Sequence, residues 1–300
     1  MIVSTPLINV VYPGNAFNLF SVMITIATFD ILPTDKFYPY LFPLPENDLP
    51  FNDNFDNMGF GSTYFVGNFG SALLFIIWLS LMYLLYPVCV CCGRNPKKKW
   101  CRRKAEGMKN NLFWNGTVLF IVEAYLDIII CCLINLAVIG NPINTVGTAL
   151  SVVLSVLLMI GCLAVPMLTI FYLRPRFSQL NDSHIKDSFG SIYEMINLES
   201  SKSAIIWPIF FCIRRAIFAI AVVFTKNPVL QLMAFTYPTL AVVIIIGLIQ
   251  PLESPFANKV EMYDSVTVLF LSYCLFCFTE FIPDPNIRYQ IGYVMIIMTI

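Results

Sequence analysis

VGTALSVVLSVLLMIGCLAVPMLTIFY, residues 146–172, contains no charged side chain. At about 1.5 Å of rise per helical residue, this stretch exceeds the roughly 30 Å hydrocarbon core of a bilayer. Inside lipid, backbone N–H and C=O groups must be paired within the element itself, so the stretch is predicted to be a membrane-spanning helix. A spanning barrel would instead alternate apolar and polar residues in short segments. Working outward, the same reading applies to Thr63–Tyr86, Leu112–Ile139, Val229–Ile249 and Tyr263–Phe281. It applies also to Ile205–Phe224, which contains Arg214 and Arg215. Ala16–Leu32 is a shorter candidate, and Ile287–Ile300 begins another. The predicted fold is therefore an all-α, polytopic transmembrane helix bundle of about eight spans, with seven to nine as the range.

Composition agrees. Of 300 residues, 58% are hydrophobic and only 12% are charged, with 18 Lys+Arg balancing 18 Asp+Glu. A soluble domain of this length needs about twice that charged share. The low charge and the 15% aromatic content exclude disorder. A nucleic-acid partner is not expected without a net basic charge.

The charges are segregated. Residues 87–111 carry Arg94, Lys97, Lys98, Lys99, Arg102, Arg103, Lys104 and Lys109 against Glu106 alone. Basic loops stay in the cytosol, so this loop is placed there. Residues 33–60 carry Asp35, Glu46, Asp48, Asp53 and Asp56 against Lys36, and are placed outside as a Pro/Asn-rich lid. One helix separates the two segments, so the assignments agree. Alternation makes 173–203 a cytosolic amphipathic linker, and it puts the start of the chain in the cytosol if Ala16–Leu32 crosses. The apolar ends read as cut from a longer polypeptide.

Local chemistry gives weaker signals. Lys97, Lys98, Lys99, Arg102, Arg103 and Lys104 fit attraction to anionic lipid at the cytosolic face. Cys89, Cys91 and Cys92 lie where a span meets that basic cluster, the setting of S-palmitoylation, and unmodified interface cysteines fit equally well. The run Asn52–Asn57 resembles a calcium loop in composition only, because the required glycine and closing glutamate are missing. No cofactor or metal is expected. The single histidine, His184, has no nucleophile constellation around it, and no nucleotide or zincin motif occurs, so an enzyme is not expected.

Ionisable residues inside spans are expensive and mark function by default. Glu123 and Asp127 are four apart and share a helix face. Arg214 and Arg215 reach a similar depth from the same side. A cluster of Glu123 and Asp127 with Arg214 and Arg215 is one expected pairing. In the other, Arg214 turns toward Glu261 and Asp264 at the cytosolic end of their helix. Either cluster could be a buried ion network that fixes packing, or an ion pathway. Adjacent arginines point about 100° apart, which does not suit a voltage sensor.

Three sets of residues carry a resemblance. The first is Asn15–Ala16 with the run Phe29–Asp30–Ile31–Leu32–Pro33–Thr34–Asp35. The second is Gly59–Phe60–Gly61–Ser62–Thr63 followed by Asn68–Phe69–Gly70. The third is Ser188–Phe189–Gly190–Ser191–Ile192–Tyr193–Glu194, then Trp207–Pro208 and Arg214–Arg215. Together they resemble the C-terminal multi-span region of large protist surface proteins with Cys-rich or cadherin-like ectodomains. That region is distantly similar to TRP-like and polycystin-like channel bundles. The present chain has no such ectodomain. It also lacks a selectivity-filter segment between Ile205–Phe224 and Val229–Ile249, where only a four-residue turn fits.

The resemblance implies a membrane anchor and assembly subunit that holds a surface assembly to a plasma or ciliary membrane. Its partners would be lipids and other membrane or extracellular subunits. The alternative is a TRP-like or polycystin-like cation channel or transport subunit, to which the intramembrane charges would belong. A hydrated path lined by Glu123, Asp127 or Glu280 would favour the alternative, and a dry bundle the anchor.

Overall fold

A computed structural model describes residues 1–28, 42–46, 48–68, 70–93, 99–110, 116–140, 143–198 and 202–299. Among these the chain is helical, with no β-strand and one isolated bridge between Ile196 and Leu252. Five helical stretches are long and apolar enough to cross a membrane: Ile76–Gly93, Val146–Leu173, Ala204–Phe224, Pro228–Ile249 and Pro255–Cys277. The protein is thus a multi-pass, membrane-embedded helical bundle.

A further apolar stretch forms a bent helix pair, which makes a sixth span if the two halves cross as one. The apolar stretch 112–139 is not one helix. It forms α6 (Thr117–Glu123) and α7 (Tyr125–Ala137), bent by 78° at Ala124. Neither Pro nor Gly stands at the break, so the sequence carries no marker for it. α7 is the most enclosed helix, with Ile128, Ile130, Cys132 and Ile134 fully covered. It packs against α8 (Val146–Leu168) and α10 (Trp207–Phe224). α8 opens with a capping box in which Thr145 and Thr148 exchange hydrogen bonds, and its last turn widens into a π-turn over Thr169–Leu173. α10 starts at a proline, Pro208, whose fixed φ suits a first turn. α11 (Pro228–Ile249) is capped by Asn227, which accepts from the Val229 and Leu230 N–H groups. α12 (Pro255–Cys277) packs on α11 and on α13 (Pro285–Thr299).

The lid is built rather than loose. Asp48 accepts from the Ser62 hydroxyl, from Thr63 N at 3.1 Å and from Thr63 Oγ1 at 3.0 Å. Asn52 caps α2 (Asp53–Asn57) by accepting from Phe55 N at 3.0 Å. Phe55 and Phe65 are fully buried; burying a side chain of this kind contributes about 1.5–3 kcal/mol. α3 (Phe65–Asn68) leans on α8, where Ser151 Oγ accepts from Val66 N at 3.2 Å. Gly147 is needed there, because a Cβ would sit 2.6 Å from the Pro43 carbonyl oxygen.

Asn9 and Asn15, near the start of the chain, lie at the lid end. Asn9 donates from its backbone to Gln231 Oε1 at 2.7 Å and from its side chain to Lys226 O at 3.2 Å. Asn15, at the start of α1 (Gly14–Thr28), donates to Tyr289 O near the start of α13. The two helices therefore begin at the same depth. Their close approach requires Gly292, whose Cβ would collide with the Asn15 amide. Residues 42–43 are again at the lid end, against Gly147.

The basic segment and the linker are also structured. α4 (Gly70–Gly93) runs through Cys89, Cys91 and Cys92 and packs against α5 (Lys99–Asn110), with Gly93 close against the Arg102 backbone. The linker folds over the other end of the bundle as α9 (Ser183–Tyr193) with short 3-10 turns. Leu173, Leu180, Ile192, Ile196 and Ile205 form a second small core there. Tyr193 donates to Leu180 O at 2.9 Å, and burial pushes its phenol up to about 12.

Candidate functional site

The intramembrane charges gather around α10. Arg214 is 5% exposed and makes no hydrogen bond among the described residues; its Nε and Nη1 are fully buried without partners. Arg215 folds back on its own helix. Its guanidinium carbon lies 3.4 Å from the centre of the Phe211 ring, and Nη1 donates to Phe211 O at 3.4 Å. That cation–π contact shields the charge within the helix.

The acids nearest in electrostatic effect to Arg214 are Glu261 and Asp264, on α12. Neither forms an ion pair with it within 4 Å. α10 and α12 flank α11, so Arg214 reaches across from one side of that helix toward the acids on the other. Ser265, beside Asp264, is fully buried and its hydroxyl has no partner; Thr236 on α11 is in the same condition.

Glu123 and Asp127 do not share one helix face. Glu123 ends α6, Asp127 lies in the first turn of α7, and the 78° break separates them. Glu123 is exposed and forms no ion pair with either arginine. Asp127 feels the charges of the Met1 amino group and of Arg215. Asp264 is exposed, whereas Arg214, which feels its charge, is sealed. Tyr125, just after the break, lies beside Cys212 of the arginine helix. Glu280, beyond the end of α12, is exposed at the lid end.

The other sequence-derived sites are spread apart. Lys97 and Lys98 fall outside the described residues. Lys99, Arg102, Arg103 and Lys104 lie on α5, where Arg102 and Arg103 are exposed. Cys91 is exposed, and Cys89 and Cys92 are half-buried. Among the described residues no group of three or more His, Cys, Asp or Glu side chains converges to hold a metal ion. The unpartnered hydroxyls of Ser265 and Thr236 have no sequence signature, since small hydroxyl residues in spans normally bond to the preceding turn, as Thr239 does with Phe235 O at 2.7 Å.

Compared with known proteins, the chain matches no family model, no curated protein and no solved structure.

Proposed function

We propose that the protein is an integral membrane anchor and assembly subunit, and that α4 is the helix through which it assembles. One observation carries this reading. None of Ile76–Gly93 is buried against the rest of the protein, whereas half of Ala204–Phe224 is. Ile77, Trp78, Leu81, Leu84, Leu85 and Val88 are all exposed and share one face of that helix. α4 touches α5, meets the bundle through Ile76 and through the Tyr83–Thr117 hydrogen bond at 2.8 Å, and offers this apolar face outward. The resemblance to the multi-span region of large protist surface proteins points the same way and implies a plasma or ciliary membrane. Helix order supports seven crossings: α4, the α6–α7 pair, α8, α10, α11, α12 and α13. α1 then dips into the bundle from the lid end. Palmitoylation of Cys89, Cys91 or Cys92 would fasten the far end of α4.

The test is photo-crosslinking in native membranes. A photoreactive residue replaces Trp78 or Leu85 on α4, and Leu157 or Ile160 on α8 as lipid-facing references. Protein adducts of one discrete mass at 78 and 85, with lipid adducts at 157 and 160, are expected. Lipid adducts at all four positions would overturn the assembly reading.

A second reading, a cation channel or transport subunit, is favoured by the sealed Arg214 and by the acids Asp127, Glu261 and Asp264 in electrostatic reach of the arginines of α10.

A further inference from the structure

A cleft of about 540 Å³ opens at the lid end, and neither Arg214 nor Arg215 lines it. Three distant parts of the chain meet there: the initial segment at Leu7 and Asn9, the lid at 51–54, and the α10–α11 corner at 222–226 with Gln231. The volume lies within the usual range for small-molecule sites.

Its walls are fixed by their own hydrogen bonds. Asn9 is fully committed: its N–H goes to Gln231 Oε1, its amide nitrogen to Lys226 O, and its amide oxygen accepts from Asn54 at 3.5 Å. Gln231 is 2% exposed, and its amide nitrogen donates to Thr225 O at 2.5 Å. The Asn52 oxygen is occupied by the α2 cap. These carboxamides brace the cleft. Two groups remain: the Asp53 carboxylate and the Lys226 ammonium, both exposed and without a partner among the described residues. They do not pair with each other within 4 Å. Phe51 and Val222 add apolar lining to the same cleft.

We propose that this cleft binds a small zwitterion, with a primary ammonium facing Asp53 and an anionic group facing Lys226. A simple anion would meet Lys226 but be repelled by Asp53, and a simple cation the reverse. A molecule carrying both charges on a short apolar stem satisfies both residues and covers the apolar strip. Because the walls are already braced, little ordering is needed on binding. A free amino acid and the phosphoethanolamine headgroup of a lipid share this chemistry.

The test uses the full chain in nanodiscs of phosphatidylglycerol, which has no ammonium group. Calorimetric titration with glycine, 4-aminobutyrate, 6-aminohexanoate and phosphoethanolamine steps the separation of the two charges. At least one probe is expected to bind. Asp53→Asn and Lys226→Met are each expected to weaken it about tenfold, the loss of one charge-assisted contact. Both residues are exposed, so the variants' unfolding midpoints should match that of the parent chain. Discs containing phosphatidylethanolamine separate the two sources: blocked binding of the soluble probe indicates a headgroup, and unblocked binding a solute. The proposal is overturned if no probe binds and phosphatidylethanolamine causes no stabilisation removable by either variant. It is overturned equally if binding survives both variants unchanged.

Discussion

Arg214 is the least comfortable residue in the protein. A buried guanidinium without hydrogen bonds bears its full desolvation penalty, while Asp264 keeps access to solvent. An apolar side chain of similar length would fill the same space without that penalty. Arg214→Met is therefore expected to raise the unfolding midpoint of the purified protein, corresponding to about 1–3 kcal/mol. A lower midpoint would show that Arg214 holds the helices together, as an ion network does. If the midpoint rises and assembly through α4 is unchanged, then a group kept against stability serves something other than packing. Conductance of reconstituted Arg214→Met bilayers then decides the channel reading. The single residue thus separates the two functions more sharply than the number of spans does.

At the scale of elements, the lid turns on Asp48. It ties residue 48 to the Ser62–Thr63 turn across more than a dozen residues of Pro- and Asn-rich chain. Asp48→Ala removes three bonds to a carboxylate, and charge-assisted bonds contribute about 1.5–3 kcal/mol each when unshared. The expected result is rapid protease cleavage within 42–62 with the helical bundle left intact. Resistance equal to that of the parent chain would mean that Phe55 and Phe65 alone keep the lid closed. The sequence showed the lid by its prolines and aromatics, and the spans by their apolar length. Asp48's role was not legible there, because a carboxylate in an acidic stretch looks solvated until its partners are placed.

The same limit explains the break at Ala124. A continuous apolar run states only that its residues belong in lipid. The bend is decided by tertiary packing of α7 on α8 and α10. The pairing of charges followed from that error: Glu123 and Asp127 share a face only on a straight helix. Once the helix bends, Arg214 is left facing α12. Likewise the charge asymmetry separates the lid from the basic segment, but it carries no information about α1. That helix is placed by Asn15 and Gly292, a polar contact between regions almost the whole chain apart.

On the scale of the whole molecule, the spans fall into two parts. One is the packed group of α6–α8 and α10–α13, which shares a continuous core. The other is the α4–α5 arm, whose partners are mainly each other. A protein whose helices all share one core loses its structure in a single cooperative step. Here the arm meets that core mainly through Ile76 and the Tyr83–Thr117 hydrogen bond, so its opening is only weakly coupled to the rest. Amide exchange in detergent should show protection over 76–93 set by the helix's own bonds, lower than over 125–134. Exchange at the same rate in both segments would place the arm inside the cooperative unit. The free-standing span is therefore also a thermodynamic boundary. A partner that binds it adds stability locally, by mass action on one helix, and leaves the melting of the bundle where it was.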